Sequence, residues 1–187
     1  MILFLDFDGV LHPLLRKEPD FCRLPLLWQI LRAAPEVLVV FSTSWREVYR
    51  HDEMVEFVAY GGGEDLAHRI IGQTPRIKVE TGCDRRDLEI QSWLEANNHS
   101  GPWLAIDDMP KLFNGGHPYL YVVDGTRGLT DEDVLAILER MNRIRSAAKL
   151  ITDYAKTWTA LHKHDETGEV DAEIAREMDR LKAKHLS

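Results

Sequence analysis

A chain of 187 residues, 44% of them hydrophobic, holds enough apolar material for one globular domain with an appendage. Its two cysteines, Cys22 and Cys83, are too few for a disulfide framework, so a reducing cytoplasm is the expected compartment. A net charge of −8 argues against non-specific nucleic-acid binding, though not against a small cationic site. The opening apolar run is too short to span a bilayer or act as a signal, and no membrane contact is expected.

In chain order, the first predicted strand is Ile2–Leu5, which runs into Asp6, Asp8 and Gly9. The chain is expected to turn at Gly9, bringing both carboxylates past the strand end. A predicted helix, Leu24–Ala33, leads to a second strand, Val37–Phe41, followed by Ser42. A longer helix is predicted over Trp45–Tyr60, with the glycine run Gly61–Gly63 after it. A third strand, Arg69–Ile71, precedes a helix over Arg86–Ala96, in which Leu88, Ile90, Trp93 and Leu94 fall mostly on one face. The strand Trp103–Ile106 ends in Asp107 and Asp108, and a fifth is predicted at Tyr119–Val123.

This alternation predicts a three-layer α/β domain on a parallel sheet of about five strands over residues 1–128. Residues 129–187 read as a helical extension. Thr130 and Asp133 have the pattern of a capping box, and Ile144, Ala147, Ala148, Ile151, Ala155, Trp158 and Leu161 recur at helical spacing. Val170, Ile174, Met178 and Leu181 resume the pattern after Gly168. Such stripes call for a covering surface, either the core or a second copy of the chain in a homodimer.

Asp6, Ser42 and Asp107 each follow a predicted strand, and ligands of such sheets bind beyond the carboxyl ends of the strands. Two acidic pairs converging there repel unless a cation or a shared proton intervenes. Magnesium favours oxygen ligands and commonly takes one or two carboxylates plus a substrate phosphate. A single Asp after a strand is ordinarily a turn or cap residue; two pairs point to a metal. No close histidine pair suggests zinc.

The stretch DFDGVL resembles the first motif of the haloacid dehalogenase (HAD) superfamily of phosphotransferases. VLVVFSTSW resembles its second motif and WLAIDD its fourth, in the same order. The run FSTSWR, RRDLEIQSWL and AIDD is most similar to a capless branch found in predicted RNA-repair proteins. The resemblance implies a Rossmann-like HAD fold and a magnesium-dependent phosphatase. In that scheme Asp6 is the nucleophile and Asp8 the general acid and base. Magnesium is held by Asp6, Asp107, Asp108 and the Asp8 backbone carbonyl. Ser42 donates to the phosphate with exposed backbone N–H groups beside it, Thr43 or Ser44 being alternatives, and Gly9 is a further phosphate-binding position. The family's basic residue corresponds to Arg86, with Arg85 and Lys78 as rivals.

The stretches from Asp8 to Ser42 and from Ser42 to Arg86 have room for a helix or two each, so no large cap is expected. An open site suits a phosphate on a nucleic-acid end or a protein. It also suits a small phosphoester covered by a second subunit. Arg46 is a candidate ligand contact, Trp45 a core residue and His12 a loop-packing residue. His162 and His164 are expected to be solvated, and Cys83 carries no sign of reactivity. A signalling receiver domain would reverse the order of the acidic motifs. A weakly active HAD-like interaction module is the remaining alternative.

Overall fold

The structure is a computed structural model that describes residues 1–15, 17–77, 85–114, 117–161, 175–177 and 179–180. Lys78, Cys83, His162, His164, Gly168, Val170, Ile174, Met178 and Leu181 lie outside the described residues. The chain divides into two compact units, Met1–Leu138 and Glu139–Ser187.

The first unit is built on five strands: β1 (Ile2–Leu5), β2 (Leu38–Phe41), β3 (Ile70–Gln73), β4 (Trp103–Asp107) and β5 (Leu120–Val122). All pair in parallel, in the order β3-β2-β1-β4-β5. β1 and β4 are buried at every residue, which is why they read as unbroken apolar runs rather than alternating ones. The sheet grows from β1 through β2 to β3, then returns to the other side of β1 for β4. That reversal opens a crevice at the carboxyl ends of β1 and β4.

Helix α1 (Leu24–Ala33) has Pro25 in its first turn, where the missing N–H costs nothing. It buries Leu27, Trp28, Ile30 and Leu31, and Pro35 follows its end. The predicted strand start at Arg69 is instead an anchor for that helix end. Its buried guanidinium donates to the carbonyls of Leu31 (2.6 Å), Ala34 (2.6 Å) and Val37 (2.8 Å).

The single helix expected over Trp45–Tyr60 is two pieces, a 3₁₀ turn at Ser44–Glu47 and α2 at His51–Ala59. A cap supplied by Glu53 explains the restart: its carboxylate accepts the Arg50 N–H at 2.8 Å. Helix α3 (Arg85–Ala96) buries Arg86, Glu89, Ile90, Trp93 and Leu94, whereas Leu88 is exposed. Its inward face therefore begins with two charged residues. In the core, Phe4 meets Trp93 and Trp103 edge to face, each at 5.6 Å between centroids.

Helix α4 (Asp131–Leu161) opens on the expected capping box, with the Thr130 N–H donating to Asp133 at 2.9 Å. Val134 and Ile137 are buried near its start. Among the described residues, no helix is long and apolar enough to cross a membrane.

Candidate active site

Adjacent strands place the first two carboxylates. Leu5 pairs with Ile106, so the next residues, Asp6 and Asp107, emerge side by side. The Asp6 N–H donates to Ile106 O at 3.1 Å and the Ser42 N–H to Leu5 O at 2.9 Å, holding three strand ends together. Asp6, Ser42, Thr43 and Asp107 are all buried. Asp6, Asp107 and Asp108 each offer a carboxylate oxygen within 4.8 Å of the others.

Arg86 enters this group from the first turn of α3. Its Nη1 lies 2.8 Å from Asp6 Oδ2 and also donates to Asp107 Oδ2. Backbone donors take the remaining oxygens: Phe7 N–H binds Asp6 Oδ1 and Met109 N–H binds Asp107 Oδ1, both at 2.8 Å. One guanidinium serves two buried carboxylates, so the negative charge is in excess. Burial first, and then the Asp6 carboxylate, push Asp107 up to about 7 although Arg86 opposes them. Burial and Asp6 also raise Asp108. Burial disfavours the charge on Arg86, but Asp6 and Asp107 outweigh it and hold the guanidinium above its ordinary value.

This donor set fits a hard divalent cation: three carboxylates, oxygen only, with two of them raised toward neutrality by burial and by their neighbour Asp6. Two glycines make room for the third. A Cβ on Gly9 would lie 2.5 Å from the Asp108 Cγ, and one on Gly125 2.4 Å from its Oδ2. Gly9 also takes φ +70, and the Val10 and Leu11 N–H groups turn back to Phe7 O, which is the turn expected there.

The Asp8 carboxylate is not one of that trio. His12 Nε2 lies 3.0 Å from its Oδ1, and Trp45 Nε1 donates to its Oδ2 at 2.9 Å. His12 Nδ1 faces the Phe21 N–H at 3.3 Å. A backbone N–H can only donate, so Nδ1 is the acceptor and Nε2 carries the proton given to Asp8. His12 and Trp45, read from sequence as packing and core residues, are thus the direct partners of Asp8. The two acids after β1 have different neighbours, the Arg86 guanidinium beside Asp6 and the His12 and Trp45 ring N–H groups on Asp8.

The serine–threonine stretch divides its work. Thr43 caps the 3₁₀ turn by accepting the Trp45 N–H at 3.3 Å, and Ser44 is exposed. Ser42 is 1% exposed, and its Oγ has no hydrogen-bond partner among the described residues. Thr74, directly after β3, has a buried Oγ1 in the same condition. Its strand ends in Gly72 and Gln73 rather than in an apolar run, so the signal that marks Ser42 is missing there.

Arg46 does not reach the carboxylate trio. It is buried against Glu89, to which its Nη2 donates, and also donates to Thr43 O. Burial pulls its pKa down while Glu89 pushes it up. Arg85 points to Glu47 (3.0 Å) and Glu89 (3.4 Å), leaving Arg86 as the cation on Asp6 and Asp107 among the described residues.

The model of one family, the HAD domain in Swiss Army Knife RNA repair proteins, matches residues 2–134. No curated protein and no solved structure matches the chain. The match spans all five strands, both acidic motifs and Arg86, and the chain belongs to this family of HAD domains.

Proposed function

We propose that this chain is a magnesium-dependent phosphomonoesterase working through an aspartyl-phosphate on Asp6. The observation that carries it is the placing of Asp6 beside Asp107 and Asp108, with Arg86 on the first two and Asp8 held apart. Asp6 and Asp107 are buried at the reversal of the sheet order, where water has little access and charge interactions are strong.

Asp6 attacks phosphorus; the bond to the leaving oxygen breaks as the bond to the carboxylate forms. Asp8 gives its proton to that oxygen, then takes one from the water that releases inorganic phosphate and regenerates Asp6. His12 and Trp45 fix the orientation of Asp8 for both transfers. Arg86, already on Asp6 Oδ2, grips a phosphoryl oxygen there. The unspent hydroxyl of Ser42 meets another phosphoryl oxygen. Magnesium, held by Asp6, Asp107, Asp108 and the Asp8 carbonyl, supplies the charge that offsets carboxylate and phosphate repulsion.

A phosphate on a nucleic-acid end is the substrate reading favoured by the family's occurrence in RNA repair proteins. Between Asp8 and Ser42 the described residues hold only α1 and β2, leaving the site without a cap-sized insertion there. Phosphate release from an aryl phosphate tests the core of the reading. Magnesium should support turnover, and EDTA or Asp6→Asn should abolish it. Equal hydrolysis by metal-free protein would overturn it.

A further inference from the structure

A cavity of about 560 Å³ is lined by Phe21, Trp28, Phe57, Tyr60 and Gly61 among others. That is the size of an ordinary small-molecule site. Phe21 belongs both to this lining and to the surroundings of Asp8. Its ring lies 5.5 Å from that of His12 and 5.1 Å from that of Trp45, the two residues that bind the Asp8 carboxylate. Phe21 also holds φ +64, a conformation unfavourable for a bulky side chain, while its N–H is committed to His12. The cavity wall therefore touches the two residues that bind the Asp8 carboxylate.

One further lining residue is held in place. Trp28 donates its indole N–H to Val58 O at 3.0 Å. Gly62 and Gly63 pack against that indole: a Cβ on Gly62 would come within 2.8 Å of it and one on Gly63 within 2.2 Å. Side chains there would push the loop off the ring. Tyr60 is 82% exposed beside it, a large aromatic face left open to a ligand.

The polar groups of the lining select the occupant. Asp20 and Glu56 are carboxylates, which accept hydrogen bonds and repel anions. Both are exposed, so they disfavour an anion there without barring it. A planar, uncharged ring bearing N–H donors is favoured, with aromatic faces to stack on. Resting on the phosphatase reading above, we infer that the cavity is the leaving-group subsite and takes the base of a nucleotide whose phosphate lies at Asp6. That nucleotide is a free nucleoside monophosphate or the terminal residue of an oligonucleotide, both of which present the same chemistry.

The test uses the full chain and reads binding separately from turnover. Adenosine, which carries no phosphate, should shift the Trp28 indole N–H resonance in NMR titrations, and Tyr60→Ala should weaken that binding at least tenfold. In kinetics, kcat/KM for adenosine monophosphates should exceed that for acetyl phosphate, which has no ring, at least tenfold. Tyr60→Ala should cut that ratio severely. A short oligonucleotide bearing a terminal phosphate, run alongside, shows which source is preferred. An unshifted Trp28 signal overturns the base site even if every phosphate is hydrolysed. Equal shifts from adenosine and benzyl alcohol overturn it as well, in favour of an unselective apolar hollow. If no phosphate is hydrolysed but adenosine still shifts Trp28, the phosphatase reading falls and the base site stands.

Discussion

Asp8 differs from Asp6 by its neighbours rather than by its chemistry. Asp6 shares a guanidinium with Asp107, whereas Asp8 accepts from His12 and Trp45. In the proposed mechanism that separation gives attack to one carboxylate and proton transfer to the other. Asp8→Asn should therefore cripple turnover of alkyl phosphates, whose leaving oxygen needs a proton, by roughly 10²–10⁴-fold. It should impair aryl phosphates with good leaving groups much less. Equal losses on the two substrate types, measured as kcat/KM, would remove Asp8 as the general acid. The acids themselves were legible in sequence because carboxylates rarely end a buried strand without a purpose. Their partners were not. His12 and Trp45 reach Asp8 through a turn and a 3₁₀ segment, and no periodicity foretells which way an indole N–H will point.

Among the elements, strands were easier to read than helices. β1 is apolar throughout and β4 up to its final Asp107 because both faces are covered, and the predicted bounds differ from the observed ones by at most a residue. Helix α3 misled because its inward face starts with Arg86 and Glu89, so apolar spacing put exposed Leu88 inside. Glu89 is fully buried and pairs with buried Arg46, fastening α3 to the segment after β2. Removing one partner of such a pair strands a charge, so Glu89→Ala should cost about 3–5 kcal/mol of unfolding free energy. Replacing both, as in Arg46→Met with Glu89→Leu, should recover most of it. Denaturant unfolding of the single and double variants checks this; a single variant within 1 kcal/mol of the wild type, roughly a surface effect, would show that the pair holds nothing.

Across the whole molecule, the excess of buried acid at one point should show in stability against pH. Asp107 has a folded pKa of about 7, above its ordinary value of 3.8. The metal-free fold then binds this proton more tightly than the unfolded chain, so its contribution to stability falls as pH rises from about 4 to about 7. Above that window the penalty is complete, and a bound cation removes it. Magnesium should thus raise Tm more at pH 8 than at pH 5, where protons compete for the same oxygens. Asp107→Asn should flatten both trends. A magnesium shift in Tm that is equal at the two pH values would contradict the charge balance described for the trio. The order of strands was legible only in part: alternation of strand and helix announced a parallel sheet, while the step back across β1 that creates the crevice left no mark in local sequence.

The covalent step on Asp6 is the centre of the account, and chemical trapping reads it directly. The full chain is mixed with magnesium and an aryl phosphate, quenched, reduced with borohydride and digested for mass spectrometry. An acyl phosphate is reduced to an alcohol under these conditions, and a free carboxylate is not. Reduction is expected at Asp6 alone, dependent on both substrate and magnesium, and absent from Asp6→Asn. Hydrolysis that proceeds with Asp6 unmodified, or with the label on Asp8 or Asp107, would contradict it.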